Sequence, residues 1–357
     1  MQTHSNFRLL VVRLGAMGDI LHALPAVTAL RQAHPDWVID WVVEPRWRAL
    51  LAAEGSTGRQ SANSAQPLVD RLHFAATRQW RKAPFSLQTI NEFKALRSAL
   101  RAGEYHAVID LQGAIRSALI ARLAGCSRLI GEANPRELPA RWLFSERVVT
   151  HGKHVIEQDV ELVSTIAGDA LVPVEPWLPI DPAAEHWADE ILPSITNKTA
   201  VLITPGAGWG AKRWPVERYA AVAQSLIAHG CRLLINVGPG EEPLAEVIVR
   251  ATNGAAIPLA CTLPQLIALT RRIALVIAGD TGPLHLACAL CRPVVGIYGP
   301  TDPCRNGPFG TRFIVLRSPA SRRDHTRRAA PETGLLTIQP ADVLRAVDAL
   351  LYPESAS

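Results

Sequence analysis

Short apolar runs alternate along this chain with segments whose apolar residues recur at helical spacing. "RLLVVRL" (8–14) predicts a strand, and "DILHALPAVTALRQAHP" predicts the helix after it. "VIDWVVE" (38–44) predicts a second strand, "INEFKALRSALRAG" a helix, "HAVIDLQG" (106–113) a strand and "AIRSALIARLAG" a helix. These strands read as continuous apolar runs, the pattern of a parallel sheet covered on both faces. Residues 171–199 break the rhythm, because "VPVEPWLPIDPAA" is crowded with proline and predicts a linker. A second series starts at "AVLITPGAG" (200–208) and runs through "VERYAAVAQSLIAHG", "CRLLINVGPGEE", "LPQLIALTRRI" and "ALVIAGDTG" to "PLHLACAL" and "PVVGIYGPTDP". The expected organisation is α/β throughout. A first domain covers 1–170, the linker 171–199 and a second domain 200–339. A helix and tail over 340–357, with proline at the helix start, is expected to pack back on the first domain.

Ligands of open parallel sheets bind beyond the carboxyl ends of the strands, so polar residues directly after strands are the candidates. After the first strand, Gly15 and Gly18 allow a tight turn and Asp19 opens the helix. That carboxylate is either an N-cap alone or a group offered to a ligand. The third glycine of a dinucleotide fingerprint is missing, and an acid there would repel a pyrophosphate, which argues against a dehydrogenase. "TPGAGWGAKRWP" offers backbone N–H groups and the charge of Lys212 to a phosphate, without the ending of a P-loop. In "VGPGEEP", Glu241 is either a ribose-binding acid or an acid favoured at a helix start. In "ALVIAGDTGPLHLACAL", Gly282 lets the backbone approach a ligand, Pro283 pre-forms a helical turn, and His285 falls inside that turn. Free N–H groups and the helix dipole make such a turn an anion site. Taken alone, His285 reads as a core histidine. With Thr281, Gly282 and Lys212 directed at the same crevice, phosphate binding is the preferred reading.

Composition narrows the class. With 357 residues, 48% hydrophobic and 19% charged, the chain has material for large cores and is not disordered. No apolar stretch reaches the roughly 18 residues of a membrane span, and the N-terminus lacks the layout of a secretory signal. Six cysteines without regular spacing fit free thiols in a reducing cytosol; for the close pair Cys288 and Cys291, packing is favoured over metal or redox use. The net charge is +5, but residues 70–153 hold 14 Lys/Arg against 7 Asp/Glu. That local surplus suggests an acidic partner: nucleic acid, an anionic lipid head or a phosphorylated sugar. A solvated helical face accounts for Lys94, Arg97 and Arg101. It fits Arg78, Arg81 and Lys82 less well, because Trp80 interrupts them.

"GDTGPLHLA", "YGPTDP" and "MGDILHALPA" together resemble the ADP-heptose:lipopolysaccharide heptosyltransferases, glycosyltransferase family nine, over about residues 8–350. "RQWRKAPFS" and "DLQGAIRSA" point within it to the heptosyltransferase I branch, which adds the first heptose to the Kdo of the lipid A inner core. The resemblance implies a GT-B fold: two facing Rossmann-like domains, with the acceptor on the N-terminal one and the nucleotide sugar on the C-terminal one. It implies Asp19 as catalytic base. It implies a donor site of Ala207, Gly208, Lys212, Glu241, Cys261, Asp280, Thr281, Gly282 and His285. It implies an acceptor site of Arg78, Arg81, Lys82, Gln112 and Arg116. Two positions depart from the branch: Ala207-Gly208 stand where it has two threonines near the donor phosphate, and Cys261 where it has a methionine beside the adenine. The first change removes two hydroxyl donors, which backbone N–H groups would have to replace.

The implied reaction is an inverting transfer from ADP-L-glycero-D-manno-heptose to Kdo-lipid A, without cofactor. No paired-acid turn is placed to hold a metal, so a metal-independent enzyme is expected. The implied setting is cytoplasmic, with peripheral contact to the anionic surface of the inner membrane and no nucleic acid. The alternatives are a family member with another donor or acceptor, such as a heptosyltransferase II-like enzyme, or a nucleotide-sugar epimerase on the same fold, which would not need a basic acceptor patch. A non-catalytic binder of anionic lipid or nucleic acid would not need a donor site.

Overall fold

Each long apolar run of the sequence becomes a parallel strand buried on both faces. The computed structural model describes residues 7–53, 67–192, 199–324, 326 and 328–352, and the chain divides into two units between Ile180 and Asp181. The first unit holds β1 (Arg8–Val12), β2 (Val38–Val43), β3 (Arg71–Phe74), β4 (Ala107–Asp110), β5 (Leu129–Glu132) and β6 (Glu146–Val148). They form one sheet in the order β3-β2-β1-β4-β5-β6, with every pairing parallel. Its helices are α1 (Met17–Ala33), α2 (Thr77–Lys82), α3 (Leu87–Ala102), α4 (Ile115–Arg122) and α5 (Val155–Ala167). Helix α1 is buried around most of its circumference, as an apolar helix without a polar face must be. Its buried Arg31 is paired: Nη2 meets Asp70 Oδ2 at 2.6 Å and Nη1 donates to the Trp37 carbonyl at 2.6 Å.

The second unit contains α6 (Pro182–Ile191), β7 (Ala200–Thr204), α7 (Val216–Ala228), β8 (Arg232–Asn236), α8 (Glu242–Ala251), β9 (Ile257–Leu259) and α9 (Leu263–Arg272). It continues with β10 (Leu275–Gly279), α10 (Gly282–Ala289), β11 (Val294–Tyr298), α11 (Pro303–Asn306), β12 (Phe313–Arg317) and α12 (Pro340–Leu351). Its sheet, β12-β11-β10-β7-β8-β9, is again all parallel. Counted from the first strand of each unit, the two orders are the same, and it is the Rossmann order. The sequence of strands reverses between β1 and β4 in one unit and between β7 and β10 in the other. Those reversals are the switch points where such sheets take ligands.

One boundary differs from the sequence reading. Residues 182–191 are not linker but helix α6, because the proline there occupies a first helical turn and Asp181 caps it, accepting the Ala184 N–H at 3.0 Å. Its Glu185 pairs with Arg271 of α9 at 2.5 Å and also with Arg272, which ties α6 into the second unit. Helix α12 spends its apolar stripe within the second unit. Val343, Ala346, Val347 and Leu350 are buried in the core there together with Val222 and Leu226 of α7. No helix among the described residues is long and apolar enough to cross a membrane.

Candidate active site

At the first switch point, the loop after β1 turns at Gly15, where φ is +149° and a Cβ would come within 2.6 Å of Trp47 Nε1. Only glycine suits both conditions. Asp19 lies in the first turn of α1, and its Oδ2 accepts the Ala16 N–H at 3.0 Å. The capping role is therefore real, yet it engages one oxygen of a carboxylate that is 34% exposed. Two guanidiniums stand near it: Arg13 Nη2 at 3.9 Å from Oδ1 and Arg136 Nη1 at 3.8 Å from Oδ2. Arg13 is buried and also donates from Nε to the Asp19 carbonyl at 3.0 Å.

The loop after β4 closes the same switch point. Asp110 accepts the Gln112 N–H at 2.8 Å, the Gly113 N–H at 3.1 Å and the Ser117 hydroxyl at 2.8 Å. Burial pushes its carboxyl up to about 6 despite those bonds. Gln112, expected to meet an acceptor, is buried, and its Oε1 accepts the Leu14 N–H at 2.8 Å. Through that oxygen the amide braces the two switch loops against each other. Behind Asp19, Asp159 of α5 is 3% exposed and its Oδ2 has no hydrogen-bond partner. Burial pushes it up to about 7; the charge of Arg13 opposes the rise, and Asp19, Glu132 and Asp110 add to it.

Arg78, Arg81 and Lys82 are exposed on α2, and Arg116 on the first turn of α4. Arg46 joins Arg78: burial, then the neighbouring charge of Arg78, lowers its pKa. Trp80 is not offered to a ligand face. Its Nε1–H donates to Glu92 Oε2 at 2.7 Å, and its ring meets Phe93 edge-on at 6.0 Å, which fastens α2 to α3.

At the second switch point, Lys212 ends the short turn Gly210–Lys212 after β7 and pairs with Asp280, the residue after β10. Its Nζ also donates to the Asp280 carbonyl at 3.3 Å and lies 4.4 Å over the Trp209 ring. Burial disfavours charge on Asp280, but the hydrogen bond from His285 and the charge of Lys212 outweigh it and hold the carboxyl well below the usual range. His285 Nε2 lies 3.1 Å from Asp280 Oδ1. Since a carboxylate only accepts, that ring nitrogen donates. The imidazole, 6% exposed, thus orients Asp280. Thr281 is the N-cap residue of α10 but gives no side-chain cap; its hydroxyl donates to the Gly279 carbonyl at 3.2 Å. A helix start without a side-chain cap, beside a lysine, is a cradle for an anion.

Glu241 follows β8 and accepts the Gly238 N–H at 3.0 Å. A Cβ on Gly206 would overlap its carboxylate, so that glycine lets the acid lie over the turn after β7, next to Ala207 and Gly208. Cys261, between β9 and α9, is pushed up to about 11 by burial and stays a neutral thiol. Cys288 is buried in α10, and Cys291 is exposed beyond it. No group of three or more His, Cys, Asp or Glu side chains among the described residues is placed to hold a metal ion. Sequence reasoning missed Arg13, Arg46, Asp110, Arg136 and Asp159. The acid ending "HAVID" was visible as a strand-end residue, whereas Arg136 lies in a loop without any pattern.

Residues 93–335 match the model of glycosyltransferase family 9 (heptosyltransferase). Lipopolysaccharide heptosyltransferase 1 of Escherichia coli K12 is 36% identical over 321 residues, which cover 87% of this chain and 94% of the relative. The structure of E. coli heptosyltransferase WaaC with ADP superposes with a TM-score of 0.77 at 30% identity, covering 96% of this chain and all of the other. WaaC with ADP-2-deoxy-2-fluoro heptose gives 0.75 at 29% identity, covering 96% of this chain and 99% of the other.

Proposed function

Because the chain belongs to glycosyltransferase family 9, the heptosyltransferases, we propose that it moves heptose from ADP-L-glycero-D-manno-heptose to the Kdo of lipid A in building the lipopolysaccharide inner core. The observation that carries the reading is the pairing of opposite chemistries at equivalent switch points: a half-open carboxylate after β1, and a lysine beside an uncapped helix start after β7 and β10. The donor's diphosphate takes the start of α10 and Lys212, with Thr281 and Gly282 supplying backbone, Asp280 and His285 positioning the lysine, and Ala207 and Gly208 giving N–H groups. Glu241 takes the ribose hydroxyls and Cys261 lies on the adenine side. Arg78, Arg81, Lys82 and Arg116 meet the carboxylates and phosphates of the acceptor.

Asp19 removes the proton of the attacking hydroxyl as its oxygen bonds to the anomeric carbon. The bond from that carbon to the diphosphate breaks on the opposite face, so the configuration inverts. The charge that develops on ADP is met by Lys212 and the α10 dipole, and the transfer needs no metal ion. The acceptor is membrane-anchored, so the chain works as a peripheral protein at the anionic cytoplasmic face of the inner membrane. The test is turnover of ADP-heptose with and without Kdo-lipid A, followed by product mass. ADP release that requires the acceptor, with a product heavier by one heptose, supports the reading. A changed sugar formed without acceptor would make the chain an epimerase instead.

A further inference from the structure

The corner between α2 and α3 holds large apolar side chains out in water. Phe85, in the connection, is 90% exposed, and Leu87, the first residue of α3, is 79% exposed. The corner is nonetheless fixed. Ser86 caps α3 by accepting the Thr89 N–H at 3.1 Å, Thr89 Oγ1 donates to the Ala83 carbonyl at 2.8 Å, and Trp80 anchors α2 to Glu92. Single exposed hydrophobics need no explanation, but neighbours held out by a closed hydrogen-bond scheme do.

Leu87, Ile90, Lys94, Arg97 and Arg101 follow at spacings of three and four, which places them on one face of α3, and all of them are exposed. That face begins apolar and turns basic. A merely solvated face explains the cations but not Leu87 and Ile90 on the same stripe. Over residues 77–102 the six cations Arg78, Arg81, Lys82, Lys94, Arg97 and Arg101 stand against one acid, Glu92, and Trp80 and Gln88 both bond to it. An acidic protein or a nucleic acid would match the charge and leave the apolar tip unexplained. An anionic bilayer matches both, with apolar side chains at the acyl boundary and cations at the headgroups.

We propose that the α2–α3 corner is a membrane-docking surface that inserts Phe85 and Leu87 into an anionic bilayer and lays Lys94, Arg97 and Arg101 on its headgroups, whether or not the sugar acceptor is present. For its purpose this rests on the proposed function; for its evidence it does not. The test is flotation of the full chain with acceptor-free vesicles of phosphatidylcholine, with and without phosphatidylglycerol. The wild type should float with the anionic vesicles. Phe85→Ser with Leu87→Ser should lower partitioning by roughly tenfold or more. Lys94→Gln, Arg97→Gln and Arg101→Gln together should remove the preference for anionic lipid. Both variants should keep the wild-type Tm and turn over a deacylated, water-soluble Kdo acceptor at the wild-type rate. Loss of that turnover in the wild type would remove the proposed function and leave the vesicle result to decide docking. The proposal is overturned if the wild type ignores acceptor-free anionic vesicles, if the Phe85/Leu87 variant floats like the parent, or if its defect appears only when vesicles carry the acceptor.

Discussion

In the first unit, the loop after β1 carries a carboxylate, Asp19, with guanidiniums 3.8 and 3.9 Å away. In the second unit, the equivalent loop after β7 carries a cation, Lys212, paired to the acid of the neighbouring loop. One strand order thus supports opposite charge at the same point, because the fold fixes where a site lies and the loops decide what it does. The finish differs as well. The second site is closed on itself: Lys212, Asp280 and His285 engage one another, and Asp280 and His285 are buried. At the first, Asp19 is 34% exposed and Arg136 beside it is 67% exposed, although Arg13, Asp110 and Asp159 are buried. Of the fourteen exposed large hydrophobic side chains among the described residues, eleven belong to the first unit. The proposed function uses that difference, with a small anion at the closed site and a large acceptor at the open one.

The largest effect should come from Asp19→Asn. The amide oxygen can still accept the Ala16 N–H, so the cap survives while the base is lost. We expect kcat to fall by roughly 10²–10⁴ with ADP affinity and Tm nearly unchanged. A fall of less than about tenfold would leave Asp19 as a cap only and erase the contrast between the two loops.

Next is the α10 start. Gly282→Val puts a branched side chain where an anion would sit, and calorimetry should show ADP binding reduced by well over tenfold, with or without EDTA. His285→Ala should weaken ADP binding less than Gly282→Val, because the imidazole acts on the anion only through Asp280. Because the imidazole serves buried Asp280, its hydrogen bond should be lost from stability and appear as a lower Tm. If ADP binds both variants as it binds the parent, the donor cradle lies elsewhere.

How much of this was legible depends on burial. Strands β1, β2, β4, β7, β8, β10 and β11 are apolar runs at or near the middle of the sheets, and their patterns are plain in the sequence. The outer strands are harder to see. "RLHF" of β3, "ERV" of β6 and "IPL" of β9 are short and partly exposed, so they carry no continuous run. The strand-end rule proposed Asp19, Lys212, Glu241 and Asp280 because each follows a readable strand. The same rule did not foretell that Gln112 braces the backbone of Leu14. Arg136 and Asp159 come to Asp19 through tertiary packing, from a loop and from the middle of α5, and no local pattern marks either.

A smaller effect should follow from replacing Arg78, Arg81 and Lys82 with glutamine together. These exposed charges act on a solvated surface, so the KM for Kdo-lipid A should rise by about tenfold. Added salt should weaken acceptor binding more in the wild type than in the variant. ADP affinity should not move. An unchanged acceptor KM would return the cluster to solvent and leave Arg116 and Arg136 as the cations of the first site.

The smallest effect on activity, with the opposite sign on stability, belongs to Asp159→Asn. The Asp159 carboxyl feels the charges of Arg13 from the loop after β1, Asp19 from α1, Glu132 from β5 and Asp110 from β4. Burial raises its pKa from 3.8 to about 7. Between those values the folded chain keeps a proton that the unfolded chain releases, so Asp159 lowers stability as pH rises from about 4 to about 7, and its cost is constant above that. Asparagine carries no charge and does not share this loss. Asp110, pushed up to about 6, is present in both proteins and cancels in the difference. Asp159→Asn should therefore match the wild type in denaturant midpoint near pH 4 and exceed it by pH 8. The gain should be at least about 1 kcal/mol and at most about 4 kcal/mol, because each tenfold change in proton affinity is worth about 1.4 kcal/mol. Since Asp19 keeps both its cap and its guanidiniums, kcat should change little. A variant less stable than the parent at pH 8 would mean that Asp159 is ionised and held by Arg13, and that the first site is as tightly paired as the second.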